Sequence, residues 1–72
     1  MDIFIERFKE LKTLHGLTYP QIAEVLGIQT RSVKNYTQGR SKPDYYGLIA
    51  LANLFDVSLD YLCGLSDDPS RH

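Results

Sequence analysis

An all-α fold of five short helices is predicted by three features of the chain. Apolar residues recur at helical spacing along almost its whole length, and no strictly alternating run is long enough for a strand. Capping residues and glycines divide the pattern into segments. A length of 72 residues with 43% hydrophobic and 24% charged side chains suits one ordinary globular domain, with no room for a separate catalytic unit.

In the first helix Phe4, Phe8, Leu11 and Leu14 form the apolar stripe, and Glu6, Arg7, Lys9 and Glu10 fall on the other side. Asp2 is its N-cap and Gly16 ends it. The second helix opens on Thr18-Tyr-Pro-Gln21, the form of a capping box, with Leu17 and Ile22 spaced as a hydrophobic staple. Pro20 lies in the first turn, where its missing N–H has no intrahelical partner to lose. Ile22, Val25 and Leu26 supply the stripe, and Gly27 tolerates the positive φ that a helix end requires.

The third helix, Thr30 to Gln38, is polar almost throughout. Val33 and Tyr36 share one face as anchors, while Arg31, Lys34, Asn35 and Gln38 share the opposite one. After the loop from Arg40 to Pro43, Asp44 caps a fourth helix whose Leu48, Leu51, Ala52 and Phe55 face the core, with Tyr45 and Tyr46 as core and rim. Ser58 caps a short fifth helix, Leu59 to Cys63, in which Cys63 reads as a half-buried hydrophobe. Residues 1–65 therefore form the domain, and 66–72 read as a flexible acidic tail or the start of a linker.

Several function classes are excluded. One cysteine and two histidines make neither an internal disulfide nor a four-ligand zinc site, and no metal or cofactor is implied. The charged N-terminal segment is not a signal peptide and no apolar run reaches membrane-spanning length, so a cytoplasmic location is expected. Catalysis lacks a plausible constellation.

The net charge of −1 conceals an asymmetry. Residues 28–43 carry Arg31, Lys34, Arg40 and Lys42 with no acid, whereas residues 44–72 carry five aspartates against Arg71. The positive segment coincides with the outward face of the third helix.

The frame Ala23-x3-Gly27-x5-Val33 supplies the small residue, the turn glycine and the buried anchor that two helices crossing at about 90 to 120° require. A helix of about 10 to 12 Å diameter enters the major groove of B-DNA, about 12 Å wide. Arg31, Asn35 and Thr30 have the hydrogen-bonding geometry to read base edges. Tyr19, Gln29, Lys34, Gln38, Arg40 and Lys42 suit the phosphate backbone.

The chain resembles the phage-repressor/Cro family of regulators, the XRE family. The likeness rests on Phe8-Lys-Glu-Leu-Lys12, Gly16-Leu-Thr18, Ile22-Ala23, Leu26-Gly27, Gly39 with its basic loop and Pro43, Leu51-Ala52 and Val57-Ser-Leu-Asp60 with Leu62, and covers about residues 3 to 65. It implies a compact, lambda-repressor-like five-helix bundle that binds double-stranded DNA operators as a transcriptional regulator, a repressor by expectation, with two copies on half-sites about 34 Å apart. Three positions depart from the pattern. Tyr19 stands where the family usually has Gln, Lys12 faces Thr37 where many members pair it with Glu, and Gln29 replaces the usual Ser or Thr cap.

A helical protein-interaction module, antitoxin-like and without DNA, is the alternative. The positive segment argues against it, since protein interface cores are depleted in Lys. Ile49, Leu54, Tyr61 and Leu65 are expected as homodimer contacts, because they are more apolar surface than so short a chain can cover internally.

Overall fold

Helix starts are set by local side-chain chemistry. In a computed structural model describing residues 2–71, the helices are α1 Ile3–Leu14, α2 Tyr19–Leu26, α3 Thr30–Thr37, α4 Tyr45–Phe55 and α5 Leu59–Cys63. Asp2 accepts the Phe4 N–H at 2.9 Å, Asp44 the Gly47 N–H at 2.8 Å and Ser58 the Tyr61 N–H at 3.1 Å. The Thr18 hydroxyl accepts from Gln21 N–H while the Gln21 side chain accepts from Thr18 N–H, completing the capping box. Only α3 lacks a side-chain cap, because Gln29 makes none. Among the described residues no strand is present, and no helix is long and apolar enough to cross a membrane.

Every helix contributes to one core. Phe8, Ile22, Val33, Leu51 and Leu62 are fully inaccessible, and Phe55 nearly so. Phe8 meets Phe55 edge to face at 5.8 Å between ring centroids, the arrangement that the aromatic quadrupoles favour. Burial of each such side chain stabilises the fold by about 1.5 to 3 kcal/mol.

α2 and α3 meet through the three positions that the sequence marks for the task. Ala23 is 3% exposed and Val33 wholly buried. Gly27 adopts φ 70°, and the next N–H, of Ile28, returns to the Ala23 carbonyl at 3.0 Å, closing α2 and aiming the chain into α3. Thr37, one turn beyond Val33, is buried as well, and its hydroxyl donates to the Lys34 carbonyl at 2.7 Å.

The structure corrects the sequence reading at several positions. Leu14 and Val25 are on the predicted stripes, yet they are exposed. Leu14 is the last residue of α1, and beyond it the ring of His15, itself exposed, lies 5.8 Å from that of Phe55 at a tilt of 37°. In α2 the buried pair is Ile22 with Ala23, which turns Val25 toward a surface groove that also contains Tyr46. Tyr45 and Tyr46 are neither core nor rim: they are 67% and 78% exposed and pack on each other edge to face. Pro43, itself buried, occupies the space beneath that first turn, where a Cβ at Gly47 would lie 3.0 Å from the Pro43 Cβ. Cys63 is exposed, not half-buried.

The segment from Ser66, expected to bury nothing and to move freely, is tied back to the domain along its length. Arg7 donates to the Ser66 carbonyl at 2.7 Å and pairs with Asp67 at 2.9 Å. Ser58 N–H donates to the Pro69 carbonyl at 3.0 Å, and Arg71 reaches Asn53 and Asp56. Arg7 is thus no solvated residue of the charged face of α1 but a largely buried link to α5 and beyond.

Candidate nucleic-acid interface

The outward face of α3 follows from the inward one. With Val33 and Thr37 committed to the core and Tyr36 packed against it, the helical repeat turns Arg31, Lys34 and Gln38 to the surface, all exposed. Thr30 and Asn35 lie half-buried at the edges of the same face. Gln29, just before α3, and Arg40 and Lys42, just after it, are exposed and extend the polar surface at both ends.

Its electrostatics are uneven. Among the described residues Arg31, Lys34 and Arg40 form no ion pair, so their charges face solvent. Lys42 differs, because Asp2 lies 3.5 Å from its ammonium, so one carboxylate stands beside a segment that contains no acid in sequence. That ammonium remains largely exposed and free to exchange this carboxylate for another anion.

Tyr19, at the start of α2, is half-buried against the core, and the Lys12 ammonium sits 4.5 Å from its ring centroid. The sequence reading treated the loss of a Glu partner for Lys12 and the Gln-to-Tyr change as separate departures; in the fold they meet. No spacing rule in the sequence signals this meeting, because the chain leaves helical geometry between Leu14 and Tyr19.

The residues expected at a homodimer contact are divided. Leu54 and Tyr61 pack against the domain's own core, and Tyr61 also lies under the Arg7 guanidinium, so the surplus of apolar surface expected there is partly used internally. Ile49 is half-buried and Leu65 is exposed. Cys63 has no nucleophile's environment: partial burial of its sulfur, and then Asp60, push its thiol pKa up and disfavour the thiolate.

A small residue at the helix crossing, a left-handed glycine in the turn and a polar second helix turned outward define the molecule as a helix-turn-helix domain. A family model described as helix-turn-helix matches residues 8–62, and the chain belongs to that XRE-type helix-turn-helix family. It is 42% identical over 67 residues to YobD of Bacillus subtilis, described as an uncharacterized HTH-type transcriptional regulator, covering 93% of this chain and 60% of that one. It is 32% identical over 59 residues to the cryptic phage CTXphi transcriptional repressor RstR of Vibrio cholerae, covering 82% and 53%. The crystal structure of a transcriptional regulator from Listeria innocua superposes with a TM-score of 0.80 at 49% identity, covering 85% of this chain and 57% of that one. The chain therefore spans between half and two thirds of the length of these relatives.

Proposed function

We propose that this domain binds double-stranded DNA with sequence preference and regulates transcription, acting as a repressor without metal or cofactor. The observation that carries this reading is the outward face of α3, where Arg31 and Lys34 are exposed without a carboxylate partner among the described residues, continued by Arg40. On this reading α3 enters the major groove. Arg31 addresses guanine O6 and N7, Asn35 addresses adenine N6 and N7, and Thr30 contributes a hydroxyl or methyl contact. Tyr19, Gln29, Lys34, Gln38, Arg40 and Lys42 meet phosphates, which fix the register. The names of the matched relatives, transcriptional regulators and a repressor among them, support the class of activity.

Two copies on adjacent half-sites, centred about 34 Å apart, would place both α3 helices on one side of the duplex. Such a dimer forms at least on DNA, with Leu65 and Ile49 available for contact.

The test is titration onto a random-sequence duplex at several salt concentrations, followed by selection of bound duplexes from a random pool. Four to six phosphate contacts per subunit give a log–log slope of about −4 to −5. A flat salt dependence, with no enriched sequence in the pool, assigns the domain to protein interaction instead.

A further inference from the structure

We propose that Lys12 is a positioning residue for the phosphate-facing start of α2, acting through the ring of Tyr19. The inference rests on the DNA-binding reading above. Three observations carry it.

First, the start of α2 is poor in backbone donors. Pro20 has no N–H, the Gln21 N–H is held by the Thr18 hydroxyl, and the Thr18 N–H is held by the Gln21 side chain. Of the first turn, only the Tyr19 N–H stays unengaged among the described residues. A phosphate arriving here must be met mainly by side chains, unlike at a helix start with a full set of free amides.

Second, the Tyr19 hydroxyl has no hydrogen-bond partner among the described residues, yet no buried side-chain polar atom lacks one, so the hydroxyl is open to solvent while the ring is half-buried. It is a donor held in reserve on an anchored ring.

Third, the Lys12 ammonium lies 4.5 Å from that ring's centroid and has no carboxylate partner among the described residues. A cation over the negative face of the ring restrains both groups. The pair links α1 to α2. Lys12 thereby fixes the ring, and the ring presents its hydroxyl.

The experiment is a double-variant cycle on a random-sequence duplex, with Lys12→Met, Tyr19→Phe and the two combined, and with Lys12→Arg as the conservative replacement. Lys12→Met and Tyr19→Phe are each expected to weaken binding about fivefold, the worth of one hydrogen bond. The combined variant should be no weaker than Tyr19→Phe alone, and Lys12→Arg should bind as the parent does. Effects that multiply in the combined variant overturn the proposal, since Lys12 would then act on DNA independently of Tyr19.

Nuclear magnetic resonance of the free protein supplies a readout that needs no DNA. The Lys12 ε-methylene protons should be shifted upfield by the ring, a shift kept in Tyr19→Phe and lost in Tyr19→Leu. Absence of that shift in the parent protein overturns the pairing even where DNA binds. The upfield shift present, with no binding to any duplex, instead refutes the DNA-binding reading on which the proposal stands.

Discussion

The guanidinium of Arg7 lies 4.0 Å from the centroid of the Tyr61 ring, and the same group donates to the carbonyls of Tyr61 and Ser66. One side chain of α1 thus covers the Tyr61 ring by its plane and holds the end of α5 and the following segment by its edge, Nη1 donating to both carbonyls and Nη2 to Asp67, so that five fixed donors serve three acceptors at once. The Arg7 side chain is 13% exposed and that of Asp67 entirely so, which separates their expected contributions. Arg7→Met leaves two carbonyls short of a donor and is expected to destabilise the domain by about 2 to 3 kcal/mol. Arg7→Lys should recover only part of that. Asp67→Asn should leave the urea midpoint where it is, because an exposed pair contributes little. Equal midpoints for Arg7→Met and Asp67→Asn would show that the two bonds from Nη1 to the backbone are worthless.

Gln29 is the one N-cap residue of the five helices that makes no capping bond. Its backbone already has the extended conformation of a cap, φ −79° and ψ 150°, so a short hydroxyl there would reach the free Arg31 N–H, or share the Ser32 N–H that donates to the Gln29 carbonyl at 3.0 Å, without rearrangement. Gln29→Ser is expected to stabilise the domain by about 0.5 to 1 kcal/mol, raising the melting temperature by about 2 to 6 °C. Gln29→Asp should stabilise comparably but weaken DNA binding, because it sets a carboxylate beside the phosphates. Calorimetry and duplex titration on the same two variants check both halves.

What the sequence revealed and what it concealed divide along a physical line. Caps and glycine stops act between residues at most a few positions apart, so Asp2, Thr18 with Gln21, Asp44 and Ser58 announced their helices correctly. Periodicity located Phe8, Ile22, Val33 and Leu51 in the core. It misplaced Leu14 and Val25, since a stripe says which face points inward but not where the neighbouring helix ends. The roles of Arg7 and Lys12 depend on partners 54 residues away and across a turn, and no local rule reports these. The outward face of α3 was readable because it is the complement of a local inward face; which of its side chains meet bases is decided by the duplex, not by the fold.

Asp56 is the one non-glycine residue among those described with positive φ, at 54°, where it closes α4. Its N–H donates to the Asn53 carbonyl, a bond that any residue would retain. Its carboxylate lies 3.6 Å from Arg71, an exposed pair of little worth. Asp56→Gly relieves the left-handed strain at the expense of backbone freedom in the unfolded chain. The expected net effect is a stabilisation of about 0.5 kcal/mol, read as a small rise in urea midpoint. A fall in midpoint would show that the Arg71 contact outweighs the strain.

Arg31 and Val33 are two residues apart on α3 and face opposite ways, the first exposed and the second inaccessible. Their substitutions should therefore separate stability from recognition. Val33→Ala removes buried methyls beneath the helix and is expected to lower stability by about 1 to 3 kcal/mol, and to weaken binding to every duplex alike. Arg31→Ala and Asn35→Ala should leave the unfolding midpoint within about 0.5 kcal/mol of the parent, because neither side chain makes a hydrogen bond or ion pair among the described residues, the first being exposed and the second half-buried. On the selected site each should lose about 1 to 3 kcal/mol of affinity and relax preference at one base pair, while binding to random duplex changes far less. Lys34→Ala and Arg40→Ala should instead weaken all sequences evenly and reduce the salt slope by about one each. If Asn35→Ala left both affinity and base preference untouched, α3 would have to lie in the groove with a different edge toward the bases, and Thr30 would move up as the next residue to substitute.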